Sequence, residues 1–191
     1  FAYPAKKLGS FLADADLTHV SNEVSFVDGC VGYTGMVFCS KPKYVETLKA
    51  SGVDIVELTG NHNNDYGAKY NKSTIEKYIE LGWDHFGGGL NSDDASKILY
   101  KEVKGNLLAF MGYNWYDTIN SSRALAGSSS AGANSYSVEK LTKDIKEAKD
   151  KGAVVIVTFQ FQECYSYPSS DVIYPICYKP LSSPDQKKVF R

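Results

Sequence analysis

Much that would narrow the function is missing from this sequence. No apolar run approaches the roughly 18 residues that a membrane-spanning helix requires, so no membrane segment is expected within the chain. Phe1 is not followed by the charged-then-apolar profile of a signal peptide. Neither charge sign is in excess: 21 basic side chains face 22 acidic ones, which removes the electrostatic case for nucleic acid as a partner. No cysteine pair has zinc-type CxxC spacing, and no P-loop or dinucleotide fingerprint is present. What remains is ordinary globular composition, 43% apolar and 23% charged, in 191 residues. That length suits a single domain, residues 1–191, with a substantial core. A start without Met and an end at Arg191 directly after "SPDQKKVF" are expected of a processed or excised piece.

The four cysteines fall into local pairs, Cys30 with Cys39 and Cys164 with Cys177. If each pair is bonded, loop closure contributes roughly 2–3 kcal/mol apiece, and the protein belongs outside the reducing cytoplasm. The alternative is four buried thiols, which would favour a cytoplasmic phosphoesterase.

Helix-like and strand-like stretches alternate along the chain. Leu8 to Ala15 reads as helix, Asp16 to Ser21 as extended, and Pro42 to Ala50 as helix with Pro42 at a suitable first position. Val53 to Thr59 has almost no polar alternation, the pattern of a strand buried on both faces. Tyr70, Ile75, Tyr78, Ile79 and Leu81 recur on one face of a helix over Ala68 to Leu81, before Gly82. Short strands are expected at Trp83 to Phe86, Ile98 to Val103 and Leu107 to Gly112, with a hairpin turn at Lys104 to Asn106. A helix follows Ser137, a suitable N-cap, with Glu139 and Lys143 spaced to pair one turn apart. The last strand is Ala153 to Phe159. Residues 120–136, "NSSRALAGSSSAGANSY", have no periodicity and are expected to be a mobile loop. The alternation argues for an α/β sheet with helices on its faces.

In such folds ligands gather beyond the carboxyl ends of strands. Three of these edges carry chemistry: Asn22 and Glu23 after "DLTHVS"; Gly60 to Asp65 after "DIVELT"; Gln160, Gln162 and Glu163 after "VVIVTF". Amide carbonyls and carboxylates can ligate a hard or borderline divalent cation, and an imidazole can ligate or donate a proton. Gly60 permits a sharp turn or close backbone approach. Blander readings stand beside these. Asn-Asn-Asp-Tyr-Gly is good turn sequence, His19 and His85 sit in apolar runs as core histidines do, and Gly87 to Gly89 reads more simply as a backbone turn than as a phosphate cradle. The 14 tyrosines are explained by sheet packing rather than by a sugar-binding face.

The stretches "ADLTHVSNEVSF" (Ala15 to Phe26), "SGVDIVELTGNHNNDYG" (Ser51 to Gly67), "TIEKYIELGWDHFGGGLNSDDA" (Thr74 to Ala95) and "GNLLAFMGYN" (Gly105 to Asn114) resemble, in order, the bacterial capsule-synthesis CapA, or poly-γ-glutamate synthesis, family. That family resembles the calcineurin-like metallophosphatases. The resemblance implies a metallophosphatase-like layered sheet core with flanking helices, incomplete here at both ends. It implies metal ligation by Glu23, Asn61 and Gln160, catalysis by His62 as proton donor with Asp65 positioning it, and substrate contacts from Asn22, Asn64 and Glu163. The implied cofactor is Mn²⁺, Mg²⁺ or Zn²⁺, and the implied substrate is an anionic polymer or a phosphorylated compound. Surface-polymer assembly proteins are the implied partners. The implied location is extracellular or cell-surface, with any anchor outside these residues.

The departures from the family pattern matter as much. Where the family has a His-Trp-Gly-x-Glu-like element, this chain reads "QFQECY", so Gln160 stands in the histidine's place. The first Gly-Asp strand and the last Gly-His-x-His element are absent. Two functions are therefore expected from the sequence: a metal-dependent hydrolase in polymer synthesis or processing, or a non-catalytic surface module binding through the same cleft.

Overall fold

A computed structural model describes residues 3–32, 34–120 and 122–160. Glu163 and the Cys164 and Cys177 pair lie outside the described residues. Helix α1, Tyr3–Ala13, starts earlier than the sequence pattern suggests, with Pro4 at its second position, where a missing N–H costs nothing. Strand β1 is short, His19–Ser21. A 3₁₀ turn, Pro42–Tyr44, leads into α2, Val45–Ala50.

The expected buried strand is present as β2, Ile55–Glu57, with every residue buried. Helix α3, Ala68–Glu80, packs Ile75 and Tyr78 inward and is followed by β3, Asp84–Phe86. Strands β1, β2 and β3 form a parallel sheet in that order, with Ser21, Glu57 and Phe86 in register at its carboxyl edge. Parallel pairing follows from the connections, since each crossover carries a helix.

After β4, Gly88–Gly89, and α4, Ser92–Ala95, a second sheet begins. Strands β5, Leu99–Val103, and β6, Asn106–Asn114, form the expected hairpin. Its turn places Lys104 at φ 49° and Gly105 at φ 78°, a left-handed pair suited to a two-residue connection. Helix α5 spans Trp115–Asn120, and β7, Gly132–Ala133, pairs antiparallel with β4. Helix α6, Val138–Asp150, is capped as expected, Ser137 accepting from the Lys140 N–H. Its ion pairs one turn apart include Lys140 with Asp144 and Lys146 with Asp150. Strand β8, Val154–Gln160, returns parallel to β6, aligning Gln160 with Asn114.

Val56, Leu58, Ile75 and Tyr78 form a core between the first sheet and its helices. Ile55 and Phe86 of the first sheet cluster with Phe110 of the second. The glycine run takes the backbone reading: Gly87 has φ 71°, and a Cβ on it would press on Thr59 and Gly112. Part of the segment 120–136 is packed structure rather than a solvated loop, with Ala124, Ala131 and Ala133 buried. No helix among the described residues is long and apolar enough to cross a membrane.

Candidate functional site

The three residues expected to ligate metal come together from distant parts of the chain. Glu23 follows β1, Asn61 follows β2, and Gln160 ends β8. Gln160 Nε2 donates to Asn61 Oδ1 at 2.8 Å and to Glu23 Oε1 at 3.0 Å. Gly60 makes the approach feasible, because a Cβ on it would overlap the Glu23 side chain.

Burial pushes the Glu23 carboxyl above its ordinary pKa. His62 and the Asn61 backbone N–H oppose that rise, while the nearby Asp65 and Glu57 charges add to it. A carboxylate held this way gains from a cation.

Beside this cluster His62 Nδ1 lies 2.7 Å from Asp65 Oδ2. A carboxylate only accepts, so the contact places the proton of neutral His62 on Nδ1 and leaves Nε2 to exchange protons. The Asp65 side chain is only 4% exposed. Its Oδ2 also accepts from the Phe38 N–H at 2.7 Å, and the Phe38 ring meets His62 edge-on with centroids 4.6 Å apart. Phe38 is held there by the chain that the Cys30–Cys39 disulfide closes.

The expected substrate contacts fare differently. Asn64 is buried and both polar atoms of its amide are bonded: Oδ1 accepts from Asn71 at 2.9 Å, and Nδ2 donates to the carbonyls of Arg123 and Ala131 at 3.3 and 3.1 Å. It staples the segment before β7 to the turn that carries Asn61. Asn22 donates to the Val24 carbonyl and the Tyr78 hydroxyl, at 2.7 and 2.6 Å. Glu163 lies outside the described residues.

Several residues of the site had gone unremarked in the sequence. Glu57, buried on β2, accepts from Thr59 and pairs with His19 at 3.4 Å. Burial pushes its carboxyl up, but His19, Thr59 and Thr158 outweigh that and hold it below its ordinary pKa. His19 is thus a paired histidine that also packs on Phe86 and Phe110. Asn114 donates to the Thr59 carbonyl at 2.8 Å, bracing the turn that carries Asn61. Arg123 donates to the Asp65 carbonyl at 3.1 Å. Only Asn114 had a sequence signal, an amide at the carboxyl end of an apolar strand.

The profile of the family described as "Bacterial capsule synthesis protein PGA_cap" matches residues 1–173. The chain belongs to this family. It is similar to "Capsule biosynthesis protein CapA" of Bacillus anthracis, 34% identical over 135 residues that cover 68% of this chain and 32% of that protein. It is also similar to "PGA biosynthesis protein CapA" of Bacillus subtilis (strain 168), 26% identical over 128 residues, 66% of this chain and 33% of that protein. This PGA_cap chain thus spans about a third of the length of the curated relatives it matches.

The donor set bears on the cation that the family resemblance implies. Among the described residues no group of three His, Cys, Asp or Glu side chains surrounds one point. What converges is one carboxylate and two amides, with the Gln160 amide nitrogen facing the two oxygens. If that amide turns over, three oxygens face one another, a set that suits hard Mg²⁺ or Mn²⁺ better than Zn²⁺.

Proposed function

We propose that this PGA_cap domain acts in the synthesis or processing of a capsule-type surface polymer of the poly-γ-glutamate class, as a metal-dependent hydrolase centred on Glu23, Asn61, His62 and Gln160. The observation that carries the reading is the convergence of Glu23, Asn61 and Gln160 at one point next to the His62–Asp65 pair. Glu23, Asn61 and Gln160 would hold a hard divalent cation, which when bound supplies Lewis-acid stabilisation of developing negative charge. Asp65 holds the His62 ring in one orientation, so that Nε2 can pass a proton to a departing group. The relatives' names, capsule biosynthesis and PGA biosynthesis, support the polymer class. The Cys30–Cys39 disulfide supports a location outside the reducing cytoplasm.

A second reading, a non-catalytic surface module that binds polymer through the same cleft, is favoured by one observation. The Gln160 amide nitrogen already bridges Glu23 and Asn61, doing with a hydrogen-bond donor what a cation would do with charge. Calorimetric titration of Mn²⁺ into the chain, beside Asn61→Ala, separates the two. Saturable binding lost in the variant is the expected result, and equal affinity in both proteins sinks the ligand role of Asn61. Polymer binding without metal binding selects the second reading.

A further inference from the structure

We propose that Arg123 recognises a carboxylate of the polymer at this centre, an inference that rests on the surface-polymer reading above. Between Asp117 and Glu139 Arg123 is the one charged residue, set in a run of Ser, Ala and Gly. That segment returns to the site through two attachments. The Arg123 carbonyl accepts from Asn64 Nδ2, and the Arg123 guanidinium donates through Nη2 to the Asp65 carbonyl. Both ends of the residue are therefore tied to the turn that carries Asn61 and His62. The side chain nevertheless stays 57% exposed.

A purely structural role as counter-charge to Asp65 explains less. The Arg123 Nη2 lies 3.8 Å from Asp65 Oδ1, while the hydrogen bond from that nitrogen goes to the backbone oxygen. The Asp65 carboxylate already has His62 Nδ1 and the Phe38 N–H, each at 2.7 Å. The centre is acidic: the Asp65 and Glu57 carboxyl groups act through space on that of Glu23. An anionic chain approaching them meets repulsion unless a cation receives it. A guanidinium offers planar, paired donors that match a carboxylate, and partial anchoring lowers the entropy lost on binding.

The test is titration of a γ-linked glutamate oligomer, and separately of the γ-linked glutamine oligomer, into the full chain as wild type, Arg123→Gln and Arg123→Lys. Thermal melts confirm that each variant folds. The wild type should prefer the acid oligomer. Arg123→Gln should bind it about tenfold or more weakly while binding the amide oligomer as the wild type does. Arg123→Lys should fall between. Unchanged acid binding in Arg123→Gln overturns the assignment and leaves the polymer reading intact. Equal loss on both oligomers also overturns it, because a structural role weakens both alike. No oligomer binding by the wild type overturns the polymer reading itself, and an Arg123-dependent response to inorganic phosphate in that case transfers the residue to a phosphorylated ligand.

Discussion

Gln160 Nε2 reaches Asn61 Oδ1 at 2.8 Å across a separation of 99 residues, and the same nitrogen is 3.0 Å from Glu23. Replacing that nitrogen by oxygen should convert a hydrogen-bonded cluster into a cation-requiring one. Gln160→Glu puts a second carboxylate against Glu23, and like charges at that distance destabilise each other. The variant should lose about 1–2 kcal/mol without divalent cation and regain it on addition of Mn²⁺, through binding linkage to the folded state. Thermal melts with and without Mn²⁺ measure both effects. A destabilised variant that Mn²⁺ does not rescue would show that the three oxygens cannot share one ion.

Gly60→Ala addresses the same cluster from beneath. The new methyl would overlap the Glu23 side chain and lie 3.1 Å from its Cα. Overpacking of this kind costs about 1–3 kcal/mol. Glu23 has to move, so ligand or cation affinity should fall by more than stability does. Parallel melting and calorimetry check this, and wild-type affinity in a folded Gly60→Ala protein would refute the close approach.

Much of the fold was legible in periodicity, and the candidate site in position. An apolar run without alternation marked β2, and Ser137 marked the start of α6, because both signals are local. Glu23 and Asn61 follow strands of the first sheet and Gln160 ends a strand of the second, so position at strand ends made them candidates, while their meeting depends on how the two sheets pack. The bonds that Asn64 makes gave no sequence signal, because Asn in a turn looks the same whether its amide faces solvent or the backbone of a segment 59 residues away. Arg123 and Phe38 gave no signal, since their meeting with Asp65 depends on how two irregular segments close over the turn. Glu57 was hidden by its apolar neighbours, its burial made tolerable by His19 and Thr59.

The Cys30–Cys39 bond makes its own prediction. Closing this short loop removes denatured-state freedom worth about 2.5 kcal/mol on the chain-entropy account. The double variant Cys30→Ser, Cys39→Ser should lose about that much in urea denaturation. Phe38 adjoins Cys39, so its N–H and ring should release Asp65 and His62 in part, and any His62-dependent turnover should fall further than stability alone explains. Unchanged stability would mean that the loop is already ordered by its backbone bonds, such as Val27 N–H to the Ser40 carbonyl at 2.8 Å.

Asp94 should govern the acid limb of stability. Burial pushes its carboxyl up, but the Leu90 N–H, Lys97 and His85 outweigh this and bring the pKa from 3.8 to about 2. A depressed folded-state pKa means that its contribution is complete above the ordinary carboxylate range and is lost as pH falls toward 2. Asp94→Asn should cost about 1–2 kcal/mol at neutral pH and show a flatter decline below pH ~4 than the wild type. Urea denaturation of both proteins at pH 7 and pH ~3 provides the comparison. An unchanged acid limb would assign it to other carboxylates.

Asn64 distinguishes a folding role from a binding role most directly. Truncation to Ala strands the Arg123 and Ala131 carbonyls and the Asn71 amide, all of which Asn64 now satisfies. Unsatisfied buried polar groups cost about 1–3 kcal/mol each, with some relief where water enters, so a loss of roughly 2–4 kcal/mol is expected. Asn64→Asp should do no better: a carboxylate can accept from Asn71 but cannot donate to two carbonyls, and its charge would be buried against them. Proteolysis should report the same event as faster cleavage between residues 122 and 131 in both variants. A direct substrate contact predicts the reverse, wild-type stability and protection with binding lost. Both N–H groups of the Asn64 amide are committed to the Arg123 and Ala131 carbonyls, so Asn64 cannot donate to a ligand without first releasing the segment that holds Arg123 beside Asp65.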